Sequence, residues 1–144
     1  MMRDIKFRAW DKTRDEMFYD KNHSGIKNIE LSQYGEINII ELFESLQEGS
    51  FAFKSLNKED VELLQYTGLK DKNGVETYEG DIVKARLHKT YSINLEVIWN
   101  EDRCCFEMNK RYENTRYDFT CDTMLDWDCE VIGNIHENPE LLKD

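Results

Sequence analysis

The clearest pattern along the chain is an alternation of apolar and polar residues with a period of two. Near the start, Ile5 and Phe7 alternate with Lys6 and Arg8, which is typical of a strand with one buried face. A polar stretch, DKTRDE, and a short apolar run, MFYD, follow this segment. We therefore predict that the chain opens with a β-hairpin.

The second half of the chain repeats this alternation at short intervals. After Gly80-Asp81 the run IVKARL alternates, and INLEVIW then places four apolar residues on one face, Ile93, Leu95, Val97 and Trp99. CCFEM and CEVIGNI follow as further strands, and Pro139 begins a terminal turn that contains Leu141 and Leu142. This spacing predicts a mostly β fold with a small bent antiparallel sheet or SH3-like barrel in the C-terminal half.

Helical spacing is strongest between residues 39 and 46. Ile39, Ile40, Leu42, Phe43 and Leu46 fall on one helical face, and Gly49 follows as a C-cap. Asn57 is predicted to cap a further short turn, assisted by Asp60. We expect one domain over 1–144, with the hairpin and one or two short helices in 1–70 and the barrel in 71–144.

Length and composition are consistent with this single domain. A chain of 144 residues can bury roughly two thirds of its unfolded surface without disulfides or metals. No run of about 18 apolar residues is present, and the N-terminus lacks the apolar stretch of a secretory signal. We therefore expect a cytoplasmic protein.

The basic and acidic residues are unevenly distributed along the chain. The net charge is −11, which is adverse to non-specific nucleic-acid binding. Between Arg3 and Arg14, five basic residues stand against two acidic ones, a local charge of 5 − 2 = +3. From Asp118 onward, eight acids stand against Lys143, a local charge of 1 − 8 = −7. A dipolar molecule of this kind could meet a partner, or another copy of itself, through opposite charges.

Metal sites are not favoured by the cysteines or by the acidic loop. Cys104, Cys105, Cys121 and Cys129 lack a CxxC spacing, so we expect free thiols that are buried or half-buried. The four acids of the loop do not follow the ligand series of an EF-hand; they are Asp71, Glu76, Glu79 and Asp81. Asn73-Gly74 predicts a hairpin turn, and Asp81 is expected to accept a backbone N–H where its strand begins.

Catalytic motifs are also missing from the sequence. It contains neither GxxxxGK[ST] nor GxGxxG, and no serine elbow accompanies His23, His88 or His136. Cys105 and His136 form a nucleophile–base pair only if the fold brings them together. We predict no enzymatic activity, no cofactor and no metal.

A binding surface is the remaining candidate. Aromatic side chains at strand ends, combined with basic ones, can stack on bases or dock peptides. The candidate residues are Lys6, Arg8, Trp10, Tyr66 and Tyr78. For Phe7, Phe18 and Trp99 we predict a place in the core instead, because strands with a period of two bury one face.

Three separated motifs resemble the YopX family of phage and prophage proteins. These are IKFRAWDK, QYTGLKDKNGVETYEGDIV and VIGNIHENPELL, which occur in this order between Ile5 and Leu142. The stretch from about Asp20 to Leu56 has none of them. The resemblance implies a compact, mostly β domain with an SH3-like barrel in its C-terminal half. It implies no activity and no catalytic residues.

We therefore expect a phage or prophage accessory protein that binds another protein, and whose edge strands favour a homo-oligomer. Nucleic-acid binding through the basic opening strand is the first alternative. The second is an acidic phosphate mimic that occupies a host nucleic-acid-binding protein. Its surface would consist of Asp118, Asp122, Asp126, Asp128 and Glu130.

Overall fold

The structure is a computed structural model that describes residues 4–19, 27–31, 37–44, 51–54, 58–111, 113 and 115–143. Within them the chain forms twelve strands, one short α-helix and two 3₁₀ turns. The predicted mostly β fold is confirmed.

The chain divides into two compact units. The N-terminal unit is Lys6–Leu64, and the C-terminal unit is Met1–Ile5 together with Gln65–Asp144. The sequence-based division into portions 1–70 and 71–144 of one domain is not tested by these units and stays a prediction.

The N-terminal unit opens with the predicted hairpin. Strands β1 (Phe7–Asp11) and β2 (Glu16–Tyr19) pair antiparallel, with Ala9 opposite Phe18. The Asp11 carboxylate fastens the connecting turn, because it accepts hydrogen bonds from the Thr13 N–H at 2.8 Å and the Thr13 hydroxyl at 2.6 Å. Ala9 and Phe18 pack with Val61 in a small core.

A three-stranded antiparallel sheet follows in the same unit. It consists of β3 (Lys27–Leu31), β4 (Ile37–Glu44) and β5 (Phe51–Lys54), with β4 in the centre. The predicted helix from residue 39 is therefore wrong, since Ile39 pairs with Ile29 and Leu42 with Phe53. Backbone hydrogen bonds to two other segments replace those of a helix. Leu46 and the caps predicted at Gly49 and Asn57 lie outside the described residues.

The next strand passes through both units. After a 3₁₀ turn at Lys58–Asp60, β6 (Val61–Lys70) runs for ten residues and pairs with β7 (Glu76–Tyr78). The strand order of this sheet is β2-β1-β6-β7. Tyr66 and Tyr78 are direct cross-strand partners, with ring centroids 5.4 Å apart.

A five-stranded antiparallel sheet forms the body of the C-terminal unit. Its strands are β8 (Asp81–His88), β9 (Tyr91–Asn100), β10 (Cys105–Lys110), β11 (Thr115–Asp118) and β12 (Glu130–Asn134). The order is β11-β10-β9-β8-β12. The predicted antiparallel sheet in the C-terminal half is confirmed.

One face of this sheet carries the main core. Val83, Ala85, Leu95, Val97 and Met108 are completely buried there. Met124, from helix α1 (Cys121–Asp126), covers them, and the Thr120 hydroxyl caps that helix by accepting the Thr123 N–H at 3.1 Å.

The end of the chain and one core residue complete the comparison with the sequence. The predicted terminal turn is present as a 3₁₀ turn at Pro139–Leu142 that buries Leu142. Trp99 was predicted in the core but is 41% exposed, and its ring packs edge-on against Phe106 at 5.0 Å. The alternation is right for Ile93, Leu95 and Val97, but it ends before Trp99.

Candidate anion-binding cleft

The residues predicted as a binding surface lie mostly in the interior. Arg8, Trp10, Tyr66 and Tyr78 are each less than 10% exposed, and Lys6 is half-buried. Lys6, Arg8 and Trp10 belong to the N-terminal unit, whereas the two tyrosines belong to the C-terminal unit. The structure does not test binding at these residues, so the surface stays a prediction.

The acids of the predicted turn loop act mainly on the backbone. One Asp71 oxygen accepts the N–H groups of Asn73 at 2.8 Å and Val75 at 2.9 Å, and the other accepts that of Val131 at 3.0 Å. Asp81 accepts the Tyr78 N–H at 2.7 Å, as predicted. These oxygens fix turns, which accounts for both buried carboxylates.

Cysteine positions differ from the expectation at two sites. Cys129 is buried and Cys105 is half-buried, but Cys104 and Cys121 are exposed. Cys104 lies before β10 with a φ of 51°, so it does not alternate with Cys105 along a strand. Burial raises the pKa of the Cys129 thiol to about 11, which keeps it protonated and unreactive near neutral pH. Among the described residues, no group of three or more His, Cys, Asp and Glu side chains could hold a metal ion.

The predicted acidic surface is partly neutralised by basic side chains. Asp118 lies 3.1 Å from Arg103, and Asp128 lies 3.0 Å from Arg86. Glu130 pairs with Lys72 at 2.8 Å. Three of its five acids thus belong to local ion pairs.

The feature that stands out in the C-terminal unit is a polar cleft of about 260 Å³. Strand β8 supplies its floor, because Val83 and Ala85 point into the core and Lys84, Arg86 and His88 point outward. Their neighbours on β9 add hydroxyl groups, since Arg86 is opposite Ser92 and His88 is opposite Tyr91. Thr90 and Lys89, in the connecting turn, complete this side.

The opposite wall comes from two distant segments. Lys72 lies within the Asp71 turn, Asp128 lies two residues before β12, and Glu130 is the first residue of β12. The Arg86 N–H donates to the Trp127 carbonyl at 2.7 Å, which holds this segment against β8. The hydrogen bond from Lys72 to Glu130 raises the pKa of the Lys72 ammonium, so this lysine is charged at every physiological pH.

The balance of charge favours an anionic ligand. Four lysine and arginine side chains line the cleft, Lys72, Lys84, Arg86 and Lys89, against the two acidic side chains of Asp128 and Glu130. Both carboxylates are engaged by Lys72 and Arg86. Within the described part of the chain, no ion pair shorter than 4.0 Å involves Lys84 or Lys89. Two ammonium groups and three hydroxyl groups are thus arranged to donate hydrogen bonds to a carboxylate or a phosphate.

Sequence reasoning missed this cleft, although part of it was visible. The alternation in IVKARL already places Lys84 and Arg86 opposite Val83 and Ala85. The available signal was a cluster of basic residue types among the seven residues from Lys84 to Thr90, namely Lys84, Arg86, His88 and Lys89. The contribution of Lys72 and Asp128 depends on pairing between β12 and β8, which no local pattern reports.

Comparison with known families confirms the resemblance noted above. The model of the family described as YopX protein matches residues 6–143. The chain belongs to the YopX family. This membership extends over both units, and the YopX motif around Asn73-Gly74 forms the Asp71 turn and the start of β8.

Two solved structures are similar to this YopX-family chain. Protein EF1440 from Enterococcus faecalis is 29% identical, with a TM-score of 0.67, and the match covers 99% of this chain and 100% of that one. Protein yopX from Bacillus subtilis is 22% identical, with the same TM-score and the same coverage of both chains. The second likeness concerns the fold alone. A search of curated proteins found no match.

Proposed function

We propose that this YopX-family chain is a non-enzymatic binding module that holds an acidic segment of a partner protein in the cleft. The observation that supports the proposal is the pair Lys84 and Lys89, neither of which forms an ion pair within 4.0 Å among the described residues. Carboxylate side chains can accept hydrogen bonds from both ammonium groups and from the hydroxyls of Thr90 and Ser92. Tyr91, 53% exposed at the rim, offers an apolar contact beside them.

A protein partner fits the electrostatics better than a nucleic acid does. A duplex or a single strand presents a continuous row of phosphates, and it would meet Asp128 and Glu130 in the cleft wall and a net charge of −11 beyond it. A short acidic segment can place one or two carboxylates in the cleft and continue away from the acidic surface. Binding of nucleic acid in place of an acidic peptide is therefore the competing outcome of the test.

The proposed setting of this function rests on the family resemblance. YopX resemblance supports a phage or prophage accessory role in the host cytoplasm, with an SH3-like barrel in the C-terminal unit. No helix in the described part of the chain has the length and apolar character needed to cross a membrane.

The test uses a fluorescent oligoglutamate peptide as the probe and fluorescence anisotropy as the readout. We expect binding at low salt that weakens about tenfold in the double variant Lys84→Gln/Lys89→Gln, because two surface charge contacts together contribute about 1.4 kcal/mol. Lys70→Gln removes an exposed lysine of the same unit outside the cleft and should leave the affinity unchanged.

Two results would overturn the proposal. One is the lack of oligoglutamate binding at low salt. The other is tighter binding of oligothymidine or of a DNA duplex than of oligoglutamate, with the affinity for nucleic acid reduced only in the variant Lys84→Gln/Lys89→Gln. That second result would assign the cleft to nucleic acid.

A further inference from the structure

Strand β11 is the open edge of the five-stranded sheet. Its residues pair with β10 on one side, from Thr115 opposite Lys110 to Asp118 opposite Glu107. No described strand pairs with its other side. The opposite edge of the sheet is different, because the Asp71 turn covers β12 by accepting the Val131 N–H and by donating the Lys72 N–H to the Cys129 carbonyl at 3.1 Å. Exposed edges of this kind are templates for pairing with another strand.

The side chains of β11 carry a charge pattern that complements itself. Arg116 and Asp118 are exposed on one face, while Tyr117 between them is half-buried on the other. If a second copy aligns its own β11 antiparallel, with Tyr117 opposite Tyr117, then each Arg116 lies directly opposite an Asp118. Directly opposite residues of an antiparallel pair lie on the same face with their Cβ atoms about 5 Å apart.

The inner face of the edge has space for this contact. Tyr117 packs edge-on against Trp127, with ring centroids 5.3 Å apart. Beside them lies an open cavity of about 310 Å³ that is lined by Arg116, Tyr117, Asp118, Thr123 and Trp127. A tyrosine arriving from a neighbouring strand would therefore meet two aromatic rings, which is a favourable packing partner.

We propose that two copies of the chain form a symmetric dimer by antiparallel pairing of their β11 strands, with Tyr117 on the two-fold axis. This surface is separate from the cleft on β8. The two ion pairs between copies add to contacts within each copy, where Arg116 lies 3.6 Å from Glu107 and Asp118 lies 3.1 Å from Arg103. An arginine with five N–H donors can serve both carboxylates.

The dimer is expected to be weak. Four residues per strand supply few backbone hydrogen bonds, and two copies of charge −11 repel each other. Small interfaces of this kind belong to the transient class. The dissociation constant of the dimer should therefore lie between about 10 μM and about 1 mM.

Sedimentation velocity at near-physiological salt tests the proposal. The wild-type mass should rise from 17.2 kDa toward twice that value as the concentration increases over this range. Arg116→Asp places like charges opposite each other in the homodimer, and so does Asp118→Arg. Each variant alone should be at least about tenfold weaker in self-association. Lys143→Asp changes the charge by the same −2 as Arg116→Asp, away from β11, and should dimerise like the wild type.

Mixing the two variants is the decisive step. In a mixed dimer, the two acids of the Arg116→Asp chain face the two arginines of the Asp118→Arg chain, so dimers should return although neither variant forms them alone. A wild type that stays monomeric at the highest concentration overturns the proposal. So does a mixture that stays monomeric while both variants show native near-ultraviolet circular dichroism. Oligoglutamate binding by the monomeric Arg116→Asp chain then reports on the cleft independently.

Discussion

Three buried carboxylates stabilise turns of this protein by accepting hydrogen bonds from backbone N–H groups. Asp11, Asp71 and Asp81 are each less than 10% exposed, and each accepts at least one backbone N–H within four residues along the chain. Asp71 differs from the other two because it also reaches Val131, which lies 60 residues away. It thereby connects a local turn to the last strand of the sheet.

Replacing Asp71 should be more damaging than its position in a turn implies. Asp71→Ala leaves three N–H groups without an acceptor, so we expect a loss of about 3 kcal/mol in the free energy of unfolding. Asp102→Ala, at an exposed turn position, should change it by less than about 0.5 kcal/mol. Urea denaturation measures both. Equal losses would show that the three hydrogen bonds are not what stabilises the turn.

Glu107 should make stability depend on pH. The hydrogen bond from Asn100 and the nearby Arg103 hold the pKa of this buried carboxyl below its usual value of 4.5, against the effect of desolvation. Since the unfolded chain then binds more protons in acid, the contribution of Glu107 is complete above pH 4.5 and is lost as the pH falls through the folded value.

The variant Glu107→Gln isolates this contribution. It should be less stable than the wild type at pH 7, and the gap should narrow as the pH falls below 4.5 in a series of urea titrations. Glu101→Gln, in an exposed turn, should show no such change with pH. A gap for Glu107→Gln that is constant from neutral to acid pH would contradict the assignment.

At the scale of elements, β12 depends on a close contact between a glycine and a side chain. A Cβ atom on Gly133 would lie 2.5 Å from the Oδ1 atom and 3.0 Å from the Cβ atom of Asn138. That Oδ1 also accepts the Asn134 N–H at 3.4 Å. A larger residue at position 133 would therefore force the Asn138 side chain to move.

Gly133→Ala should therefore cost about 1–3 kcal/mol in unfolding free energy through overpacking. The cost should shrink when Gly133→Ala is made in an Asn138→Ala background, because the clashing atoms beyond Cβ are gone. Gly74→Ala is a control for backbone strain without a steric clash. No atom lies within 4 Å of a Cβ atom added at this position, but an alanine would have to adopt a φ of +81°, which costs about 1–2 kcal/mol. Identical losses at position 133 in both backgrounds would rule out the contact with Asn138 as the cause.

Elements that depend on local sequence patterns could be predicted, whereas elements that depend on pairing with distant segments could not. The hairpin β1–β2 and the alternation in β8 and β9 are local, and their patterns predicted them. Strand β4 was mistaken for a helix because Ile39, Ile40, Leu42 and Phe43 also satisfy helical spacing. Its strand state depends on pairing with β3 and β5, and those hydrogen bonds leave no trace in its own pattern.

The cleft residues also divide into those that a local pattern predicts and those that depend on pairing between distant strands. Outward placement of Lys84 and Arg86 follows from alternation, whereas Asp128 and Glu130 reach them only through the register of β12 on β8, in which Glu130 lies opposite Lys84. That register includes an irregularity between Val131 and Gly133, which is invisible in composition or period.

At the scale of the whole molecule, charge repulsion opposes folding. Thirty acidic residues stand against nineteen basic ones. Although ion pairs such as that of Arg86 and Asp128 offset part of this excess, they are exposed enough to contribute little. The excess of negative charge should therefore dominate the response to salt.

Raising NaCl from about 0.02 M to about 0.5 M should increase the urea midpoint of unfolding, since screening weakens repulsion between like charges. Over the same range oligoglutamate binding should weaken, so the two salt responses have opposite signs. The combined variant Asp122→Asn/Asp126→Asn carries two fewer charges on exposed helix positions and should show a smaller increase. A midpoint that falls with salt would mean that ion pairs outweigh the net charge.

The order of the two units along the chain has a consequence for how relatives of this protein can diverge. The N-terminal unit interrupts the C-terminal one, since Met1–Ile5 precedes it and Gln65–Asp144 follows. The chain enters it through β1 and leaves through β6, which are neighbours in one sheet. Because β6 continues into the C-terminal unit, the two strands at the ends of the inserted portion have to be kept, whereas the loops between them can change in length or sequence. Relatives can then differ in the inserted portion while the sheet that carries the cleft stays the same.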